Sequence, residues 1–159
     1  EKGLREAIKK GVLAGYPMVN IKATLYDGKY HPVDSKEIAF ITAAKLSYQE
    51  ACAKASPCFL EPIMEAKITV PDEYLGDILG DMNKRRGRIL GTDMAEGGKQ
   101  VITAEVPQAE MFRYATDLRS MTQGIGKFSM ELIRYDELPA SANAKIIEDA
   151  KKREEEAKK

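Results

Sequence analysis

One histidine and two cysteines stand among 159 residues, and these scarcities remove whole classes of chemistry. A single imidazole cannot build a multi-histidine metal centre, and it leaves a Ser-His-Asp triad without support. Cys52 and Cys58 are too few for a disulfide framework or a thiolate quartet, which fits reduced cysteines in a cytoplasmic protein. No apolar run approaches the roughly 18–20 residues of a membrane span, and no secretory leader opens the chain. No Gly-x-x-x-x-Gly-Lys-Ser/Thr loop is present, so a nucleoside triphosphate lacks its usual cradle. Net charge is missing too. The 25 Lys and Arg balance the 25 Asp and Glu, so any nucleic-acid contact must be a local patch rather than a general field.

What is present is a phrase said twice. Val70-Pro71 leads to Asp81-Met82, a basic run (Lys84, Arg85, Arg86) and Gly87; Val106-Pro107 leads to Asp117-Leu118, Arg119 and the pair Gly124, Gly126. Met64, Ala66, Ile68 and Val70 alternate as a strand does, as do Ile102, Ala104 and Val106, and later Phe128, Met130 and Leu132. Tyr74, Leu75, Ile78, Leu79 and Met82 fit one helix face, and Phe112, Ala115 and Leu118 another. A strand over 88–94 turns at Glu96-Gly97-Gly98. The expectation is α+β: a ferredoxin-like β-α-β-β-α-β sandwich over 59–137, with both helices sending basic loops to the same end. The prolines suit the first turn of each helix, where an amide is not needed.

Residues 1–58 read as helix (Leu4, Ala7, Ile8 and Val12 on one face, ending at Gly11 or Gly15), strand (Val19, Ile21, Ala23, Leu25) and helix (Ile38, Ile41, Ala44, Tyr48, Ala51). A loop over 27–35 separates the last two, with Asp34 and Glu37 expected as a capping box. One strand between two helices cannot satisfy its backbone edges. With an opening Glu1-Lys2-Gly3-Leu4 that reads as mid-helix, this predicts a fragment whose partner strands lie upstream. Residues 138–159 form a tail rich in Ala, Lys and Glu, expected as a solvated helix or as disorder.

No enzyme is expected in this chain. Small phosphatases with this fold follow strand one with a glycine-rich, arginine-bearing cradle, whereas here Pro71-Asp72-Glu73 would repel phosphate. Two readings of His31 stay open: a solvated loop residue, or a tip where Tyr30 and His31 meet bases or phosphates with Lys29 adding charge. Two readings of Lys84, Arg85, Arg86 and Arg88 also stay open: an anion contact, or a basic helix end that suits the helix dipole. Arg119, Ser120, Thr122 and Gln123 form a polar loop able to donate several hydrogen bonds to a nucleic-acid backbone.

Leu13-Ala14-Gly15-Tyr16-Pro17, Tyr26-Asp27-Gly28-Lys29-Tyr30-His31 with Val33-Asp34-Ser35, Leu60-Glu61-Pro62-Ile63-Met64, Asn83-Lys84-Arg85-Arg86-Gly87, and Tyr114-Ala115-Thr116-Asp117-Leu118-Arg119-Ser120 with Thr122-Gln123-Gly124 follow one another in order. Together they resemble the C-terminal part of the bacterial elongation factor G family. The resemblance implies that 1–58 is the second half of domain IV, a partial α-β-α piece of a ribosomal-protein-S5-domain-2-like domain, and that 59–137 is domain V. It implies a parent that is a ribosome-dependent GTPase driving translocation of tRNA and mRNA, with GTP and magnesium held in a domain absent here and no cofactor or metal in this segment. It places Gly28, Lys29, Tyr30, His31, Asp34 and Ser35 at the tip entering the small-subunit decoding region. Arg119, Ser120, Thr122 and Gln123, with Arg85 and Arg86, are implied near the sarcin-ricin loop and stalk base of the large subunit. The alternatives are a ribosome-protection paralogue, whose tip sequence differs, and a stand-alone ferredoxin-like protein-interaction module.

Overall fold

The computed structural model describes residues 1–156. They divide into two compact units: one holds residues 1–59 together with the segment from Pro139, and the other holds Leu60–Leu138.

The second unit is built on four antiparallel strands, β1 (Leu60–Pro71), β2 (Arg88–Ala95), β3 (Lys99–Pro107) and β4 (Lys127–Glu137), in the order β2-β3-β1-β4. Helices α3 (Leu75–Lys84) and α4 (Tyr114–Met121) complete the expected β-α-β-β-α-β sandwich. Alternation puts Met64, Ala66, Ile68, Val70, Ile102, Ala104 and Val106 on one face, where they meet Ile78 and Met82 of α3 and Tyr114 and Leu118 of α4. Ala66 and Ala104 are direct cross-strand partners, both fully buried, and they are flanked by Met130 and Ile89. Small residues at the sheet centre and larger ones beside them let two helices lie close to the sheet. Each large side chain sealed here contributes roughly 1.5–3 kcal/mol of burial. Gly97 and Gly98 turn the β2–β3 hairpin with positive φ of 74° and 68°.

Three expectations change in this unit. The helix ends do not share one end of the sandwich. Because β1 runs antiparallel to β3, the helix that follows each starts from the opposite end. Arg85 therefore lies near the beginning of α4, while Arg119 lies at the far end. Phe112 is not core: α4 begins at Tyr114, Arg113 before it is left-handed at φ 65°, and Phe112 is 81% exposed. Pro71 and Pro107 close strands, each preceding a short 3-10 turn rather than opening an α-helix.

Arg85 ties the two helices together. Its Nε donates to Asp81 at 2.8 Å, Nη2 to Asp117 at 2.7 Å and Nη1 to the Glu110 carbonyl at 2.7 Å. The guanidinium lies 5.0 Å from the centre of the Tyr114 ring. Burial opposes its charge, yet Asp81 and Asp117 more than reverse that and hold its pKa above the ordinary value.

In the other unit, α1 (Lys2–Ala7) packs on α2 (Glu37–Lys54). Gly3 is buried against the Ile41 carbonyl and Ala44, and the pairs Lys2–Glu37 and Lys45–Glu6 flank the contact. The first helix is shorter than expected because the backbone groups that would extend it bond elsewhere: the Ile8 carbonyl accepts from Met18 N–H, and Gly11 N–H donates to Tyr16 O. Ile41, Ala44, Tyr48 and Cys52 are the less exposed positions of α2, while Ile38 and Ala51 face out. Residues 19–25 have no strand ladder. Val19, Ile21 and Leu25 are exposed, as an orphan strand without a neighbour must be. Helix α5 (Ala140–Glu156) carries Arg153, whose guanidinium lies 5.9 Å from the Tyr16 ring centre, and Tyr16 meets Phe59 edge-on at 6.2 Å. Cys52 and Cys58 are unbridged.

The Tyr114 hydroxyl is buried without a hydrogen-bond partner. Burial pushes its pKa well above the ordinary tyrosine range, with Asp81 adding to the push. Below about pH 10 neither state ionises it; above that the unfolded chain gives up this proton first, so stability falls as pH rises. Tyr114→Phe is expected to leave stability unchanged or raise it by about 1 kcal/mol at pH 8, and to flatten the loss between pH 8 and 11. Urea unfolding at both pH values checks this.

Candidate nucleic-acid interfaces

The tip of the first unit spans 27–35. A hydroxyl shapes it: His31 N–H donates to Ser35 Oγ at 2.7 Å, and Ser35 N–H donates to the His31 carbonyl at 3.0 Å. Helix α2 starts only at Glu37 with no side-chain cap, so the expected Asp34–Glu37 capping box does not form. Asp34 turns instead to the imidazole, its Oδ2 standing 3.1 Å from His31 Nδ1. The Val33 N–H lies 3.4 Å from the same nitrogen. Carrying a proton, Nδ1 donates to Asp34; without one, it accepts from Val33. Either way the far side of the ring is free to face a ligand. Tyr30 is 72% exposed, and Lys29 is exposed with no partner among the described residues. Gly28 has ordinary φ and open space around it, and its N–H meets Asp27 Oδ1. Tyr30, His31 and Lys29 therefore present chemistry, while Asp34 and Ser35 orient it.

In the second unit the expected site residues separate into two groups. Both α3 and α4 end in the same cap: Gly87 N–H donates to Met82 O, and Gly124 N–H to Arg119 O, each at 2.8 Å. This cap places its preceding residue in the left-handed region, where glycine is the usual occupant. Here the occupants are Arg86, at φ 61°, and Gln123, at φ 51°. A non-glycine residue there costs about 1 kcal/mol.

The two residues use that strained position differently. Arg86 makes two hydrogen bonds to Glu61, which is only 7% exposed, so its strain is offset inside the protein. Arg85 is committed as described above. Gln123 is exposed, and its side chain has no partner among the described residues; the same holds for Arg119 and Ser120, all within one helix end. Thr122, expected beside them, is fully buried, with its hydroxyl donating to Leu118 O and accepting from Gly126 N–H. It cannot face a ligand. Burial of one polar residue in a polar loop leaves no trace in composition, so sequence reasoning could not single it out.

The open face of the sheet is no stacking platform. Its central strands present Glu65, Lys67, Thr69, Val101, Thr103 and Glu105, and Arg134 spans Glu105 and Asp136 with paired bonds. Among the described residues no three His, Cys, Asp or Glu side chains converge as metal ligands, and no helix is long and apolar enough to cross a membrane.

A family model described as elongation factor G, domain IV, matches residues 1–56, and one described as elongation factor G C-terminus matches residues 58–146. The chain belongs to the elongation factor G family. It is also similar to a crystal structure of a protein from Thermus thermophilus, with 43% identity and a TM-score of 0.83 over 95% of this chain. It spans 23% of that protein's chain. The matches carry the elongation factor G C-terminal segment across the chain up to residue 146, and α5 runs past that point.

The two caps respond oppositely to glycine. Gln123→Gly relieves backbone strain and loses no internal contact, so it is expected to raise stability by about 1 kcal/mol. Arg86→Gly relieves the same strain but strands the Glu61 carboxylate, and is expected to cost about 2 kcal/mol or more. Thermal unfolding of the two variants beside the parent chain checks the contrast.

Proposed function

We propose that this chain is the ribosome-contacting end of a cytoplasmic translocase. Tyr30 and His31 meet RNA in the small-subunit decoding region, alongside tRNA and mRNA. Arg119, Ser120 and Gln123 meet the sarcin-ricin loop near the stalk base of the large subunit. The observation that carries this reading is the trio of side chains at the end of α4 with no partner among the described residues, one of them on a backbone held in the left-handed region. A guanidinium, a hydroxyl and a carboxamide together suit an RNA backbone, the first as a forked donor to phosphate and the others to sugar and base edges. Tyr30 supplies a flat face for an unstacked base. Arg85 and Arg86 serve this surface indirectly by fixing the sandwich that carries it.

The mechanism is mechanical. Nucleotide hydrolysis belongs to an upstream domain holding GTP and magnesium; supporting this, the turn after β1 carries the exposed carboxylates Asp72 and Glu73, which would repel a triphosphate. This segment converts that domain's change of state into a steric wedge at the tip, braced at α4.

In an intact factor carrying this segment, Arg119→Ala and Gln123→Ala are each expected to weaken ribosome binding about 3- to 10-fold. His31→Ala is expected to slow translocation while leaving binding within about twofold, because the tip acts during movement. Ribosome pelleting and a toeprinting time course measure the two. Wild-type binding and translocation in all three variants would remove the assignment, and GTP turnover by the purified 159-residue chain would place hydrolysis in the wrong part of the protein.

A further inference from the structure

Thr122 sits between two residues assigned to RNA yet reaches no solvent. Its Oγ1 donates to the Leu118 carbonyl at 2.7 Å and accepts the Gly126 N–H at 2.8 Å. One hydroxyl thereby ties the last turn of α4 to the approach of β4 and closes the loop that carries Gln123. The seat is shaped for an oxygen at close quarters: a Cβ on Gly126 would stand 2.7 Å from Thr122 Oγ1 and 2.9 Å from Leu118 Cγ.

We infer that Thr122 is a positioning residue for RNA contact, acting through Gln123. The inference rests on the reading above that the end of α4 faces RNA. Two consecutive left-handed residues, Gln123 at φ 51° and Gly124 at φ 87°, make a turn that an unrestrained loop would abandon. The backbone bonds from Gly124 N–H to Arg119 O and from Ile125 N–H to Thr122 O close the turn on the helix side alone. Among the described residues the Thr122 hydroxyl is the acceptor that joins the turn to the Gly126 N–H. Without that link the Gly126 N–H loses its acceptor, the turn relaxes, and the Gln123 carboxamide leaves the face it shares with Arg119 and Ser120. The positively charged contact at Arg119 lies within the helix and stays in place.

Binding of the 159-residue chain to purified ribosomes, followed by pelleting across a salt series, tests this, with thermal melts run beside it. Thr122→Val keeps the side-chain shape and removes both bonds; it is expected to bind about 3- to 10-fold more weakly, no more than Gln123→Ala does, with an unchanged salt slope. Arg119→Ala lowers that slope by about one. Thr122→Ser keeps the hydroxyl and binds within about twofold of the parent, even if loss of its buried methyl lowers the melting temperature. The double variant Thr122→Val with Gln123→Ala binds no worse than Gln123→Ala alone, since one residue acts through the other.

Additive losses in the double variant, or Thr122→Ser binding as poorly as Thr122→Val, would reduce Thr122 to ordinary packing and overturn the inference. So would wild-type binding by Thr122→Val while Arg119→Ala is impaired. If the parent chain does not bind, or neither Arg119→Ala nor Gln123→Ala weakens it, the RNA reading itself fails.

Discussion

The antiparallel pairing of β1 with β3, in register from Ile63 opposite Pro107 to Pro71 opposite Lys99, fixes where every functional side chain of the second unit goes. Strands that run in opposite directions launch their helices from opposite ends, so the end of α3 lies by the beginning of α4 and the end of α4 lies at the other end of the sandwich, where α3 begins. The central Ala66–Ala104 pair keeps the helices near enough for Arg85 to span them. A parallel centre would have set the two basic helix ends side by side and given the symmetric surface that the repeated phrase suggests. The antiparallel one makes the first copy an internal fastening and leaves the polar residues of the second exposed.

Strain separates the same two copies. Native domains keep only about 5–15 kcal/mol of net stability, so about 1 kcal/mol for a side chain at a left-handed cap is a noticeable fraction. At Arg86 the cost is offset by a carboxylate that would otherwise be buried alone. At Arg113, left-handed at the start of α4, the carbonyl accepts from both Thr116 and Asp117 N–H, and the preceding Glu110 carbonyl is held by Arg85. Gln123 has no such return from its side chain. Strain with no return from the side chain supports the proposed contact at Gln123 more than the polarity of the loop does.

How much of this could be read from residues alone follows from the range of each interaction. Alternation at Met64-Ala66-Ile68-Val70 and the Glu96-Gly97-Gly98 turn are local patterns, and they gave the sandwich correctly. The start of α4 was not local: the apolar spacing fits Phe112 as well as Tyr114, and the choice is made by Arg85 and the left-handed Arg113. Asp34 is an ordinary capping residue until the His31 ring competes for its carboxylate. The strand expected over 19–25 needs a neighbour that these residues do not encode. At the candidate sites, residue type and order mark polar loops, but which polar residues are spent internally and which are not depends on contacts across 25 to 32 positions, as for Arg86 with Glu61 and Arg85 with Asp117.

The chain connections explain why the free set sits where it does. Leu60 and Glu137 are register partners, so the strand that enters the sheet and the one that leaves it do so side by side, at the end that also holds Arg85 and Arg86. That end has two covalent connections and ion pairs that link Arg85 to Asp81 and Asp117 and Arg86 to Glu61 and Glu110. Rigidity is useful there because any load on the unit passes through it. The opposite end has the β2–β3 hairpin, the turn from β1 into α3 and the capped terminus of α4, and neither link to the other unit leaves from it. Under the proposed function this division suits a body that braces against RNA, since the anchored end resists displacement while Arg119, Ser120 and Gln123 at the far end have no partner among the described residues. Thr122 fastens α4 to β4 at that far end, as Asp72 fastens the turn after β1 to Gly98 and Gln100.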